Sequence, residues 1–103
     1  MEYWSAGYEA YLRSQLFKLP ADVPYDEGWF EVACGVHSLG WGENGFQMFD
    51  EWSKTAPNRY DSDAARTLWE NLNRRAAREL ERRITWATIA MKAEEAGWTA
   101  DEG

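Results

Sequence analysis

Few side chains in this sequence are arranged for catalysis. Cys34 and His37 lie three residues apart, a spacing that places both on one face of a helix. A zinc site takes about four ligands, and His37 is the only histidine in the chain. A nucleophilic cysteine needs a base held within hydrogen-bond reach. We therefore expect Cys34 to be a small buried hydrophobic residue, and we predict no catalytic residue, no metal ligand and no cofactor.

The glycines around Trp41 resemble a phosphate-binding loop only in their spacing. They are Gly40, Gly42 and Gly45. A phosphate-binding loop follows a strand and ends in Gly-Lys-Ser or Gly-Lys-Thr. Here no such sequence follows the glycines, and no strand pattern precedes them. We expect these glycines to form a turn.

Five arginines form the one surface pattern that predicts binding. This arginine cluster consists of Arg74, Arg75, Arg78, Arg82 and Arg83. Members four residues apart would form a ridge on a helix, opposite its apolar stripe, and guanidinium groups match the geometry of phosphates. The alternative is a solvated helix face with local ion pairs, since Glu70 and Glu79 each lie four residues before an arginine. Such pairs engage two of the five arginines at most, so the cluster is our candidate nucleic-acid-binding site.

The charge distribution limits the kind of contact that nucleic acid can make. The chain has 11 basic and 18 acidic residues and a net charge of −7. Residues 1–53 hold two basic and nine acidic side chains, residues 54–83 hold eight and five, and residues 84–103 hold one and four. A domain coated by nucleic acid would carry an excess of Lys and Arg. Only the middle block, which contains the arginine cluster, has a positive balance.

Hydrophobic periodicity predicts an all-α fold, a compact bundle of about five helices without significant sheet. The first helix should cover about residues 3–18 and end before Pro20. Asp26 should cap the second helix, with Tyr25 and Phe30 as a hydrophobic staple. The third should start near residues 42–44 and end before Pro57. Asp61 or Ser62 should cap the fourth, and the last should start at Thr85 and close at Gly97. Whether the chain bends near residues 83–85 stays open.

Seven Trp, five Tyr and four Phe supply an unusually aromatic core for one domain of 103 residues. The predicted core consists of Trp4, Leu12, Trp29, Phe46, Phe49, Trp52, Leu68, Trp69, Leu72 and Ile89. Residues 99–103 should be a frayed tail. One cysteine precludes an internal disulfide, and no apolar run approaches the roughly 20 residues that span a bilayer. Met1 leads into a mixed segment rather than a signal peptide, so we expect a cytoplasmic protein.

Several of these residues, taken in order, resemble a known family. They are Tyr25, Asp26, Trp29, Cys34, Gly35, Val36, His37, Phe49, Asp50, Glu51, Trp52, Ser53, Tyr60, Asp61, Trp69, Ile84, Thr85, Thr88, Ile89, Ala90, Ala96, Gly97 and Trp98. Over residues 16–98 the chain resembles the primase C-terminal accessory helical domain (PriCT-2-like) of phage and plasmid primase-helicase proteins. The stretch around Trp52 is the most specific part. Residues 73–83 depart from the family pattern, since they look like additional helix.

The resemblance implies a non-catalytic accessory domain of a DNA replication primase. Such a domain would dock on a primase or helicase module and help to position single-stranded template or nucleotide. No membrane partner is expected. A primase metal site and a helicase phosphate loop do not fit in 103 residues, so the chain is either a piece of a longer protein or a domain used alone. The alternative function is a free-standing acidic phage or mobile-element protein that binds a host protein and no nucleic acid.

Overall fold

The computed structural model describes residues 4–23, 28–74 and 84–99, and five α-helices lie within these ranges. They are α1 (Ala6–Leu16), α2 (Trp29–His37), α3 (Glu43–Ser53), α4 (Ser62–Arg74) and α5 (Trp86–Glu95). No strand occurs in those three ranges. The radius of gyration is 12.7 Å, close to the value of about 13 Å expected for a compact chain of 100 residues. The prediction of a compact all-α fold is confirmed.

Local capping groups determine where several helices begin and end. The Asp61 carboxylate accepts hydrogen bonds from the backbone N–H groups of Asp63 and Ala64, and the Thr85 hydroxyl accepts one from Ala87. Both predicted caps are confirmed. Gly97 has a φ of +103°, a conformation in which glycine avoids the steric clash of a side chain. It ends α5 in a Schellman-type turn, as predicted.

Two helix starts differ from the predictions. The structure begins α1 at Ala6 because Ser5 has an extended backbone and its hydroxyl accepts a hydrogen bond from the Tyr8 N–H. It begins α2 at Trp29, with Gly28 as the residue before the first turn. The predicted cap Asp26 is therefore wrong as the start of this helix, and both Asp26 and Tyr25 lie outside the described residues.

The central helix is α2, which contacts α3, α4 and α5, while α1 packs on α5 and α3 on α4. Apolar residues fill its inner face, and Ala33, Cys34 and Val36 are fully buried. At Gly35 the helices α2 and α5 approach each other very closely. A Cβ atom at this position would lie 2.6 Å from Ile89 Cδ1 and 3.2 Å from the Thr85 carbonyl oxygen, so a larger residue would require Ile89 to repack or α5 to shift.

Most of the predicted core is confirmed, with one clear error. Eight of the ten residues are buried, and Trp29 is half-buried against the core. Trp4 is 45% exposed, so its assignment to the core is wrong. It precedes the N-cap Ser5 and thus lies outside the helix whose periodicity suggested burial. Its indole N–H instead donates to Glu9 Oε1 at 2.7 Å on the surface.

Among the described residues, no helix has the length and apolar character needed to cross a membrane.

Candidate nucleic-acid interface

Arg74 is the one member of the arginine cluster within the described residues; Arg75, Arg78, Arg82 and Arg83 lie outside them. It is the last residue of α4 and is exposed. Its Nη2 donates a hydrogen bond to Asn71 Oδ1, a neutral acceptor on the same helix. The sequence spacing suggested an ion pair with Glu70 as the alternative, but the contact of the Arg74 guanidinium is with Asn71 instead. The fit of the whole cluster to phosphate therefore stays a prediction.

A contact between helices fixes the end of α4 that carries Arg74. Asn73 Oδ1 lies 2.8 Å from His37 Nε2, at the end of α2. The His37 ring also meets Trp69 edge to face, with ring centroids 4.9 Å apart. Sequence reasoning missed Asn73, which has no pattern of its own. This contact anchors the backbone next to Arg74, the first residue of the cluster.

Five other cations in the described ranges differ from Arg74 because each of them pairs with a carboxylate. The pairs are Arg13 with Glu9 and Glu51, Lys54 with Asp50, Arg59 with Asp22, Arg66 with Glu43, and Lys92 with Glu31. Arg66 binds Glu43 through two hydrogen bonds of 2.9 and 2.8 Å, and its guanidinium carbon lies 3.8 Å from the centre of the Phe46 ring. Such exposed pairs add little to stability, but they reduce the positive field that a phosphate meets.

The pKa shifts of two carboxyl groups reflect this pairing. The hydrogen bond from Arg66 lowers the pKa of Glu43 and outweighs the small opposing effect of burial. Burial raises the pKa of Glu9, but hydrogen bonds from Trp4 and Arg13 together lower it further. Both carboxyl groups are thus held in their charged form by surface contacts rather than prepared for proton transfer.

Trp52 belongs to the core rather than to a binding surface. Its side chain is fully buried, and its indole N–H donates to the Leu19 carbonyl at 2.9 Å. This bond ties the segment after α1 to α3. An exposed Trp52 would have been a platform for base stacking, so its burial assigns it a structural role.

The Cys34 and His37 pair forms no visible site. Cys34 is fully buried, as predicted. His37 Nε2 lies 2.8 Å from Asn73 Oδ1, and the His37 ring packs edge to face on Trp69. Within the described parts of the chain, no group of three or more His, Cys, Asp or Glu residues is placed to hold a metal ion.

Comparison with known proteins gives one match. A family model described as Primase C terminal 2 (PriCT-2) matches residues 12–93, which is most of the chain. No curated protein and no solved structure shows a significant match.

Proposed function

Since this chain belongs to the Primase C terminal 2 family, we propose that it is an accessory domain of a phage or plasmid replication primase, with no catalytic centre of its own. The parent protein would act in DNA replication in the cytoplasm. The family match, over residues 12–93, supports an association with primase-type proteins. The more specific role rests on the arginine cluster.

In this role the domain docks on a primase or helicase module and contacts single-stranded template or nucleotide through the cluster. The supporting observation is the state of Arg74. Its guanidinium is exposed and bonds to a neutral amide, whereas Arg13, Arg59 and Arg66 bond to carboxylates. A guanidinium without a carboxylate partner keeps its charge and most of its donors for a phosphate.

The domain alone should bind single strands only weakly. Its net charge of −7 repels the phosphate backbone. A neighbouring primase or helicase module with a positive field would offset this repulsion, so the affinity should increase when that module is present. The accessory role therefore predicts a contribution to binding that depends on the neighbour.

A fluorescence anisotropy titration with labelled single-stranded DNA at low salt tests this function, with and without the neighbouring module. The test variant replaces Arg74, Arg78 and Arg82 by Gln, which keeps helix propensity and removes three charges. We expect this variant to bind more weakly than the natural chain. The natural chain should show a logarithmic salt dependence of about −0.7 per phosphate, hence about −2 to −3 for three or four contacts.

A matched control replaces Lys54, Arg59 and Arg66 by Gln. It removes the same charge from residues that already have carboxylate partners, so binding should change less than in the test variant. An equal loss of DNA affinity in both variants would mean that binding depends only on the net charge of the chain. Absence of binding with the neighbour present, or binding indifferent to the test variant, would contradict the proposal.

The second candidate is an acidic interaction protein of a phage or mobile element that binds a host protein and no nucleic acid. The observation in its favour is the neutralised state of five described cations. This candidate predicts no binding of single-stranded DNA in any of these titrations. An open reading frame that continues into a phosphate-loop ATPase would argue against it.

A further inference from the structure

The last turn of α4 offers Arg74 two acceptors of different charge. Glu70 lies four residues before Arg74 and Asn71 lies three residues before it, and both spacings bring side chains together on a helix. An acidic residue four positions before a basic one is the favourable order for an ion pair. The structure nevertheless joins Arg74 Nη2 to Asn71 Oδ1.

The neutral partner of Arg74 distinguishes it from the other arginines in the described ranges. Arg13, Arg59 and Arg66 each bond to a carboxylate. A carboxylate offsets the charge of a guanidinium, whereas the amide oxygen of Asn71 leaves that charge in place. The bond to Asn71 uses one of the five N–H donors of a guanidinium. The contact therefore orients the Arg74 side chain without neutralising it.

The surroundings of this turn explain why the amide is the better partner. Leu72 is buried in the core, and Asn73 bonds to His37, so the backbone on both sides of the contact is anchored. Asn71 is half-buried, whereas Glu70 is exposed. An exposed ion pair must immobilise two long side chains, and this entropy cost offsets most of its gain. Asn71 is shorter and already restricted by burial, so its bond to Arg74 requires less ordering.

Glu70 becomes a competitor when Asn71 is removed. Carboxylates and phosphates both match the donor geometry of a guanidinium. Without the amide, the carboxylate of Glu70 is the acceptor that remains at helical spacing from Arg74. A pair between them would have to break before a phosphate could bind. A side chain that is ordered before binding also loses less entropy in the complex.

We propose that Asn71 is a positioning residue for Arg74: it holds the guanidinium away from Glu70 and keeps its charge available to a phosphate of single-stranded DNA. This inference rests on the proposed function and specifies how the first arginine of the cluster is kept ready for binding. It adds two residues to the candidate site, Asn71 as the residue that orients Arg74 and Glu70 as the internal competitor of the phosphate.

A titration of the full chain with labelled single-stranded DNA, with the neighbouring module present, tests this role. Asn71→Ala should weaken binding by about threefold, the effect of one exposed charge pair. The logarithmic salt slope should become shallower by about 0.7, the value for one phosphate contact. Asn71→Ala combined with Glu70→Gln should bind as tightly as Glu70→Gln alone, because the competitor is gone. Alanine favours helix more than asparagine does, so chemical denaturation should show no loss of stability in Asn71→Ala.

Asn58→Ala is the matched control, since it makes the same substitution at an exposed position before α4. It should leave the DNA affinity unchanged. Equal losses in Asn71→Ala and Asn58→Ala, or a loss in Asn71→Ala that persists when Glu70→Gln is added, would overturn the inference. Weaker binding by the triple glutamine variant of the cluster, together with unchanged binding by Asn71→Ala, would overturn this inference alone. Absence of DNA binding by the natural chain would overturn the proposed function with it.

Discussion

Indole N–H groups connect segments that are far apart in the sequence. The one on Trp52 bonds to the Leu19 carbonyl, and those on Trp86 and Trp98 bond to Gln15 and Ser14. Trp52 is fully buried, so we predict that Trp52→Ala lowers the free energy of unfolding by about 3 to 5 kcal/mol. In a chain near the low end of the usual range of about 5 to 15 kcal/mol, this loss would leave a substantial unfolded fraction. Chemical denaturation measures the change.

Trp52→Phe serves as the matched variant, because it keeps an aromatic ring and removes the indole N–H. It should destabilise the chain less than Trp52→Ala does. Trp4→Ala should change the free energy of unfolding by only about 0.5 kcal/mol, since this tryptophan is exposed. A denaturation midpoint that stays unchanged in Trp52→Ala would contradict the structural role of this residue.

The contact between α2 and α5 depends on the absence of a side chain at Gly35. A Cβ atom there would lie 2.6 Å from Ile89 Cδ1 and 3.2 Å from the Thr85 carbonyl oxygen. A Gly→Ala change inside a helix usually stabilises it by about 0.5 to 1 kcal/mol. We predict that Gly35→Ala instead destabilises the chain by about 1 to 3 kcal/mol, the usual range for overpacking. Thermal or chemical denaturation would show whether the substitution lowers or raises the free energy of unfolding.

Gly7→Ala is the control for this prediction. Gly7 also lies in a helix, but nothing is within 4 Å of the position of its Cβ, so the same change should stabilise the chain. Adding Ile89→Val to Gly35→Ala should recover part of the loss, because it removes the Cδ1 atom that clashes. Stabilisation by Gly35→Ala alone would show that the two helices separate easily.

The ion pairs give the whole molecule a pH dependence in the acid range. Hydrogen bonding to Arg66 lowers the pKa of Glu43 in the folded chain. The unfolded chain therefore takes up this proton first as the pH falls. The stabilising contribution is present above the unfolded pKa and is lost as the pH falls through the folded pKa. We predict that the natural chain is more stable than Glu43→Gln at pH 6 and that the difference disappears toward pH 3.

Melting temperatures of both chains between pH 3 and pH 7 would measure this difference. Glu94→Gln is the control, since Glu94 is exposed on α5 and is not among the carboxylates that act on Arg66. Its stability relative to the natural chain should vary less with pH. A difference in melting temperature between the natural chain and Glu43→Gln that stays constant across this pH range would contradict the prediction.

Local signals account for what the sequence predicted correctly. The caps Asp61 and Thr85 and the closing Gly97 act within a few residues of their own positions, so a short window contains all the information. Trp4 follows the same apolar period as α1, yet it lies before the cap Ser5, and the period alone does not reveal where a helix starts.

Contacts across the fold explain what the sequence did not predict about the candidate sites. The ion pair of Asp22 with Arg59 joins residues 37 positions apart, and the contact of His37 with Asn73 joins residues 36 positions apart. No regular sequence spacing predicts either contact, because the packing of α2, α3 and α4 brings these residues together. The arginine cluster is visible in the sequence because its members lie close together, and its binding role stays a prediction.

The contact between α1 and α5 involves residues outside the span that matches the family. The family match covers residues 12–93, but Ser5 caps α1 before that span, and the Trp98 indole bonds to Ser14 after it. Trimming to the matched span would remove about half of α1 and the residue that closes its contact with α5. The sequence that defines membership of the family is therefore shorter than the sequence that completes the folding unit.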